Sequence, residues 1–252
     1  MNPYYRLLIS NRGVGEFKAR ETKNEVATVY LYDAIVNSEI EAEIFGGVEP
    51  KQFAQTIASI KASTINLRVN SPGGSVFAAR AMAQALKDHP ARVIAHVDGL
   101  AASAASFLIM AADEIVMAEG SFLMIHNAWS MAIGNAEGFR QEADLLDTID
   151  NSLIKTYAKR TGMAKSQIAE MMANETWITA EEAVQTGFAN RTADQTVETA
   201  NESIVQAHWD LSAYENKSDD EHDNDPFVED EAAKRKRRFD LAKRALRVRS
   251  PD

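Results

Sequence analysis

The chain has 252 residues, 45% of them hydrophobic, and a net charge of −10, which suits one substantial domain with a real core plus an appendage. The absence of cysteine excludes disulfides, thiolate catalysis and cysteine-held zinc or iron–sulfur centres, and the five histidines form no HxH or HExxH pair for a metal. The acidic balance argues against nucleic-acid binding by the chain as a whole.

In chain order, "VATVYLYDAIV" (26–36) is rich in β-branched and aromatic residues and predicts a strand. "EPKQFAQTIASIKAS" spaces Phe53, Ile57 and Ile60 as a helix does. "TINLRVN" alternates Ile65, Leu67 and Val69 like a strand, and "SPGG" (71–74) stops it. A helix follows through "VFAARAMAQALKDH" and ends near Pro90; "ARVIAHVDG" is a second strand, leading into "LAASAASFLIM". "DEIVMA" and "FLMIHNA" are further short strands. An amphipathic helix is expected over 136–159, with Phe139, Leu146, Ile149, Leu153 and Tyr157 as its apolar stripe. "TGMAKSQIAEMMA" opens another helix, and "TAEEAVQTG" (179–187) a last short one stopped by Gly187. Strand and helix in alternation imply an α/β fold with parallel pairing.

After about residue 201 the composition changes. "NKSDDEHDNDPFVEDE" is acidic and polar and reads as a disordered linker, and "AAKRKRRFDLAKRALRVRS" then reverses the charge. The expected division is a globular domain over 1–200 and a charged tail over 201–252 with a basic helical segment. The N-terminal "MNPYYRLLISNRG" lacks the charged-then-apolar pattern of a secretory leader. The longest uncharged apolar run, 99–112, is shorter than the roughly 20 residues of a membrane span. Both point to a cytoplasmic protein.

Two serines, Ser103 and Ser106, stand in the small-residue run after Gly99. A hydroxyl nucleophile needs a base, a group to orient the base, and donors for an oxyanion. His126, at the end of a strand, can supply the base, while His89 and His96 lie in an earlier helix end and strand and His208 and His222 beyond the globular part. Spacing does not choose among the carboxylates. "SPGG" offers backbone N–H groups clear of side chains. Taken singly, each feature also has a plain structural meaning: a turn, a packing serine, a core histidine. The GxSxG elbow of α/β-hydrolases is absent.

As an ordered set, "NLRVNSPGGSV", "DGLAASAASFLIMAADE", "LMIHNAW" and "ETWITAEEAVQTGFAN" resemble the ClpP family, the proteolytic subunit of Clp protease, from about residue 26 to 190. "SPGGSVF", "DGLAASAAS", "MIHNAW" and "ETWITAEEAV" are most similar to its phage and prophage head maturation branch. The resemblance implies a ClpP/crotonase-type α/β fold of repeated ββα units with a projecting helical handle. It implies Ser103 as nucleophile, His126 as base, and the backbone N–H groups of Gly74 and Ala104 as the oxyanion hole, with Ser106 a packing residue. The third member, an aspartate in the family, falls on Glu175, one methylene longer and still able to accept from the imidazole. A helix starting after Ser103 would add a favourable dipole.

The implied function is a serine endopeptidase processing capsid or scaffold protein, without metal or other cofactor, assembled as a homo-oligomeric ring and acting in the cytoplasm or inside a procapsid. Rival readings are a proteolytic subunit working under a Clp ATPase, which no feature of the N-terminus specifies, a crotonase-like acyl-CoA enzyme, a membrane-associated Ser–Lys signal peptide peptidase, and an assembly scaffold whose triad has drifted. The tail could tie the protease to a capsid precursor, be a self-cleaved extension, or simply be solvated, and its basic run at 234–238 could touch nucleic acid.

Overall fold

The computed structural model describes residues 2–21, 25–193 and 209–214. Its elements are α1 (Pro3–Ser10), β1 (Glu16–Glu21), β2 (Val26–Tyr32), α2 (Glu39–Phe45), α3 (Pro50–Ser59), β3 (Thr64–Ser71), α4 (Val76–Asp88), β4 (Arg92–Ala102), α5 (Ala104–Ile109), β5 (Glu114–Met117), β6 (Phe122–Ile125), α6 (Ala136–Thr161), α7 (Lys165–Ala173), β7 (Thr176–Thr179), α8 (Ala180–Gln185) and β8 (Arg191–Thr192).

Strand alternation organises the core. Ala27, Val29 and Leu31 of β2, Ile65, Leu67 and Val69 of β3, and Val93, Ala95 and Val97 of β4 are buried on one sheet face. Phe53 and Ile57 of α3, Met82 and Leu86 of α4, and Leu108 of α5 join them in the same apolar cluster. The intervening residues form the other face, where the Arg68 guanidinium donates from Nε to Asp98 at 2.8 Å and the Tyr32 hydroxyl donates to the same carboxylate at 2.6 Å. The expected strand over 26–36 ends at Tyr32 because Asp33 turns the chain, accepting from the N–H groups of Ala34 and Gly47 at 2.8 and 3.1 Å.

The sheet runs β1-β2-β3-β4-β5-β8, antiparallel at its first pair and parallel thereafter. β4 serves two neighbours in succession. Residues 94–97 pair with β5, and Leu100, Ala101 and Ala102 pair in parallel with Phe122, Leu123 and Met124 of β6. β7 then pairs antiparallel with β6, from Phe122↔Thr179 to Ile125↔Thr176. The predicted mixed α/β fold is present, with α6 running 26 residues.

Four differences from the sequence reading matter. Elements α1, β1, α2, β7 and β8 were not anticipated. β4 runs on through Gly99 to Ala102, so the small-residue run is half strand, and α5 is only six residues long. Nothing about charge at Ser103 therefore rests on a helix dipole. Of the apolar stripe expected on α6, Leu153 and Tyr157 are buried while Phe139 is 52% exposed. Finally, residues 209–214, assigned to the tail, pack on the globular core. The acidic linker beyond them and the basic segment lie outside the described residues. Among the described residues no helix is long and apolar enough to cross a membrane.

Candidate active site

Ser103 follows the last residue of β4, and its position is fixed by pairing. Its N–H donates to the Met124 carbonyl at 2.9 Å, so it sits beside the end of β6. His126 is the next residue after β6. The Ser103 Oγ lies 2.7 Å from His126 Nε2. Ser103 adopts φ 52° and ψ −121°, a backbone state disfavoured for any residue with a Cβ. Two of the three non-glycine residues with positive φ among those described are Ser103 and Glu175, the clustering of strain that accompanies functional sites.

The same pairing brings in Glu175. Because Ile125 faces Thr176 across the antiparallel pair, His126, just after β6, and Glu175, just before β7, fall at facing positions. Glu175 Oε1 accepts from the Trp177 indole N–H at 3.3 Å. Burial pushes the His126 imidazole down to about 4, against the Glu175 charge, which raises it. A neutral ring accepts at Nε2 when its proton is on Nδ1.

The "SPGG" turn is pressed against Ser103. A Cβ on Gly73 would meet the Ala102 carbonyl oxygen at 2.5 Å, Ser103 Cβ at 2.9 Å and the Ala104 nitrogen at 3.0 Å. A Cβ on Gly74, at φ 137°, would meet the Ile35 carbonyl oxygen at 2.1 Å. Glycine is therefore required at both positions. The loop is pinned by Ile35 N–H to the Gly73 carbonyl at 2.7 Å, Ser75 N–H to the Ile35 carbonyl at 2.8 Å, and Gly73 N–H to Ser71 Oγ at 3.2 Å. Among the described residues no backbone acceptor takes the N–H of Gly74 or of Ala104.

A cavity of about 330 Å³ opens beside the pair, lined by Ser103, His126, Gly74, Phe77, Trp129 and Leu146 among others. Ser106, the other candidate, is fully buried: its hydroxyl donates to the Ser103 carbonyl at 2.6 Å and so accepts from the Tyr157 phenol at 2.9 Å. His89 Nε2 is engaged with the Ile60 carbonyl at 3.1 Å and His96 Nε2 with Asn66 Oδ1 at 3.3 Å, both away from Ser103. His208, His222 and the run at 234–238 lie outside the described residues. Among the described residues no group of three or more His, Asp or Glu is placed to share a metal ion.

Two neighbours were missed by sequence reasoning. Asp150 Oδ1 of α6 accepts from the Ala128 N–H at 2.7 Å, tying down the loop after His126. Tyr214 stacks edge-on to His126, with centroids 5.3 Å apart at 89°. Its only signal was three large apolar side chains, Trp209, Leu211 and Tyr214, just before the acidic run.

Comparison with known proteins identifies the family. Residues 28–196 match the family described as Clp protease. An ATP-dependent Clp protease proteolytic subunit 3 of Rhodococcus jostii is 31% identical over 138 residues, 54% of this chain and 68% of its own. A proteolytic subunit 1 of Corynebacterium jeikeium is 28% identical over 190 residues, 73% of this chain and 98% of its own. A proteolytic subunit of Deinococcus radiodurans is 28% identical over 136 residues, 53% and 67% of the two chains.

Proposed function

The chain belongs to the Clp protease family, and from that premise we propose that it is a serine endopeptidase with Ser103 as nucleophile, His126 as base and Glu175 as the group that orients the base. The observation that carries this reading is the 2.7 Å contact between Ser103 Oγ and His126 Nε2. As Oγ attacks a scissile carbonyl, Nε2 takes its proton, and the tetrahedral oxyanion is met by the N–H groups of Gly74 and Ala104. Imidazolium then protonates the departing amine, leaving an acyl-enzyme. Water, deprotonated by the same histidine, attacks the acyl carbon and frees Ser103. The carboxylate holds the Nδ1–H tautomer and stabilises imidazolium without being protonated itself.

A fluorophosphonate probe tests this. In the assembled protein, phosphonylation mapped to Ser103, absent in Ser103→Ala and strongly reduced in His126→Ala, is the expected outcome. An unreactive assembled protein would overturn the reading and favour a scaffold with a drifted triad.

The same chemistry serves two substrates. The motifs resemble head maturation proteases, which favours capsid or scaffold protein cut at a fixed site. The relatives are proteolytic subunits of ATP-dependent Clp proteases, which favours unfolded chains delivered by an ATPase, and at 28–31% identity they support the family and no particular branch. Fixed-site cleavage of a folded precursor without ATP separates the first from the second. The working form in either case is a homo-oligomer.

A further inference from the structure

Tyr214 lies more than eighty positions along the chain from His126 and more than a hundred from Ser103, and reaches the site on the segment 209–214. That segment is held by specific bonds. The Asn11 side chain pairs with the backbone of Asp210, accepting from its N–H at 2.6 Å and donating to its carbonyl at 3.0 Å. The Trp209 indole N–H donates to Asn70 Oδ1 at 3.0 Å. Ala213 and Tyr214 are buried against Leu7, Leu100, Ala102 and Met124. The Tyr214 hydroxyl donates to the carbonyl of Pro72, inside the "SPGG" turn. Its ring meets His126 edge-on and lies 6.2 Å from the Trp177 ring. Tyr214 is not among the described residues lining the cavity that Ser103 and His126 face, and its hydroxyl also lies within hydrogen-bonding reach of the Ser103 side chain.

Gly73 and Gly74, at φ 89° and 137°, have the widest conformational freedom of any residues. A turn made of them keeps one geometry only if its peptides are anchored. Ile35 fixes the Gly73 carbonyl and Ser71 the Gly73 N–H. The Pro72–Gly73 peptide has its carbonyl on the phenol.

We propose that Tyr214 is a positioning residue of the proteolytic site: its phenol holds the Pro72 carbonyl and thereby the glycine turn that aims the Gly74 N–H at the oxyanion. This rests on the reading of Ser103 as nucleophile. Segment 209–214 is thus a working part of the protease, although it follows β8.

Tyr214→Phe in the full-length chain removes the hydroxyl and keeps the ring. Three readouts are compared with wild type: the thermal midpoint, the saturating rate of Ser103 phosphonylation, and the affinity of a peptide aldehyde, whose hemiacetal oxygen occupies the oxyanion position. The midpoint should stay within a few degrees, and half-saturation by the probe within about twofold. The saturating rate and the aldehyde affinity should each fall about tenfold, together. A purely structural hydroxyl would lower the midpoint and the number of reactive sites with an unchanged rate per site, and that result overturns the proposal. A reactive wild type with an equally reactive Tyr214→Phe overturns it alone. An unreactive wild type overturns the nucleophile reading and this proposal with it.

Discussion

At the scale of single residues, His126 carries the strongest consequence. Its conjugate acid sits near 4 because burial disfavours imidazolium, with Glu175 opposing. The folded value is below the ordinary value of about 6.5, so unfolding takes up a proton between the two. The contribution to stability is complete above about pH 6.5 and is lost as pH falls through the folded value of about 4. His96 is also pushed down to about 4 by burial, so a stability profile reports both rings and only reactivity isolates His126. The rate of Ser103 phosphonylation should therefore stay high well below pH 6.5 and fall with an apparent pKa near 4. Glu175→Gln removes the charge that favours imidazolium. It should slow phosphonylation by about a hundredfold or more and move the acid limb lower still. A Glu175→Gln rate within twofold of wild type would show that Glu175 does not orient the base.

At the scale of elements, the legible parts were those whose pattern is local. The alternation in β2, β3 and β4 and the spacing of Phe53 and Ile57 follow directly from which side chains meet the core. Among the described residues β1, "EFKARE", pairs only with β2, at the sheet edge, where charge is tolerated, and its alternation rests on just Phe17 and Ala19 among four charged residues. α2 buries no residue, and β7 and β8 are four and two residues long. The candidate site was legible only as an ordered set of motifs. What joins Ser103, His126 and Glu175 is the switch of β4 from β5 to β6 and the β6–β7 register, which no short window contains. Tyr214 was hidden for the same reason, its partners being Pro72 and His126.

The "SPGG" turn gives a test at this scale. Gly74 and Gly162 both have positive φ, but a Cβ on Gly162 meets nothing within 4 Å. Gly162→Ala should cost about 1 kcal/mol for the left-handed backbone alone. Gly74→Ala adds overlap with the Ile35 carbonyl, itself hydrogen-bonded to the Ser75 N–H, and should cost about 3 kcal/mol or more. Denaturant unfolding of the two variants measures the difference. Equal losses would mean that the turn has room to shift, and that Gly74 is not held where its N–H faces Ser103.

At the scale of the whole molecule, the loop and helix beside the cavity expose several large apolar side chains. α6 is about 39 Å long at 1.5 Å per residue, yet the residues it buries, Leu153 and Tyr157, both lie in its second half. Ahead of them Phe139 is 52% exposed, and in the loop between His126 and α6 Met131 is 59% and Ile133 95% exposed. Such clustered exposure marks a contact surface, and the occupant the family reading supports is a second copy of the chain. The loop concerned begins at His126 and is tied to the fold through Ala128 on Asp150 and Asn127 on the Met172 carbonyl. Covering its far end would restrict the backbone that carries the base. Ile133 and Phe139 do not line the cavity, whereas Met131 and Leu145 do, so replacing the first two leaves substrate contacts in place. Ile133→Asp with Phe139→Asp should reduce the mass seen by light scattering and reduce Ser103 phosphonylation in parallel, with the thermal midpoint of the protomer retained. An unchanged mass would put the interface elsewhere. A reduced mass with undiminished phosphonylation would mean that each protomer holds its own site in register, and that assembly serves only to enclose it.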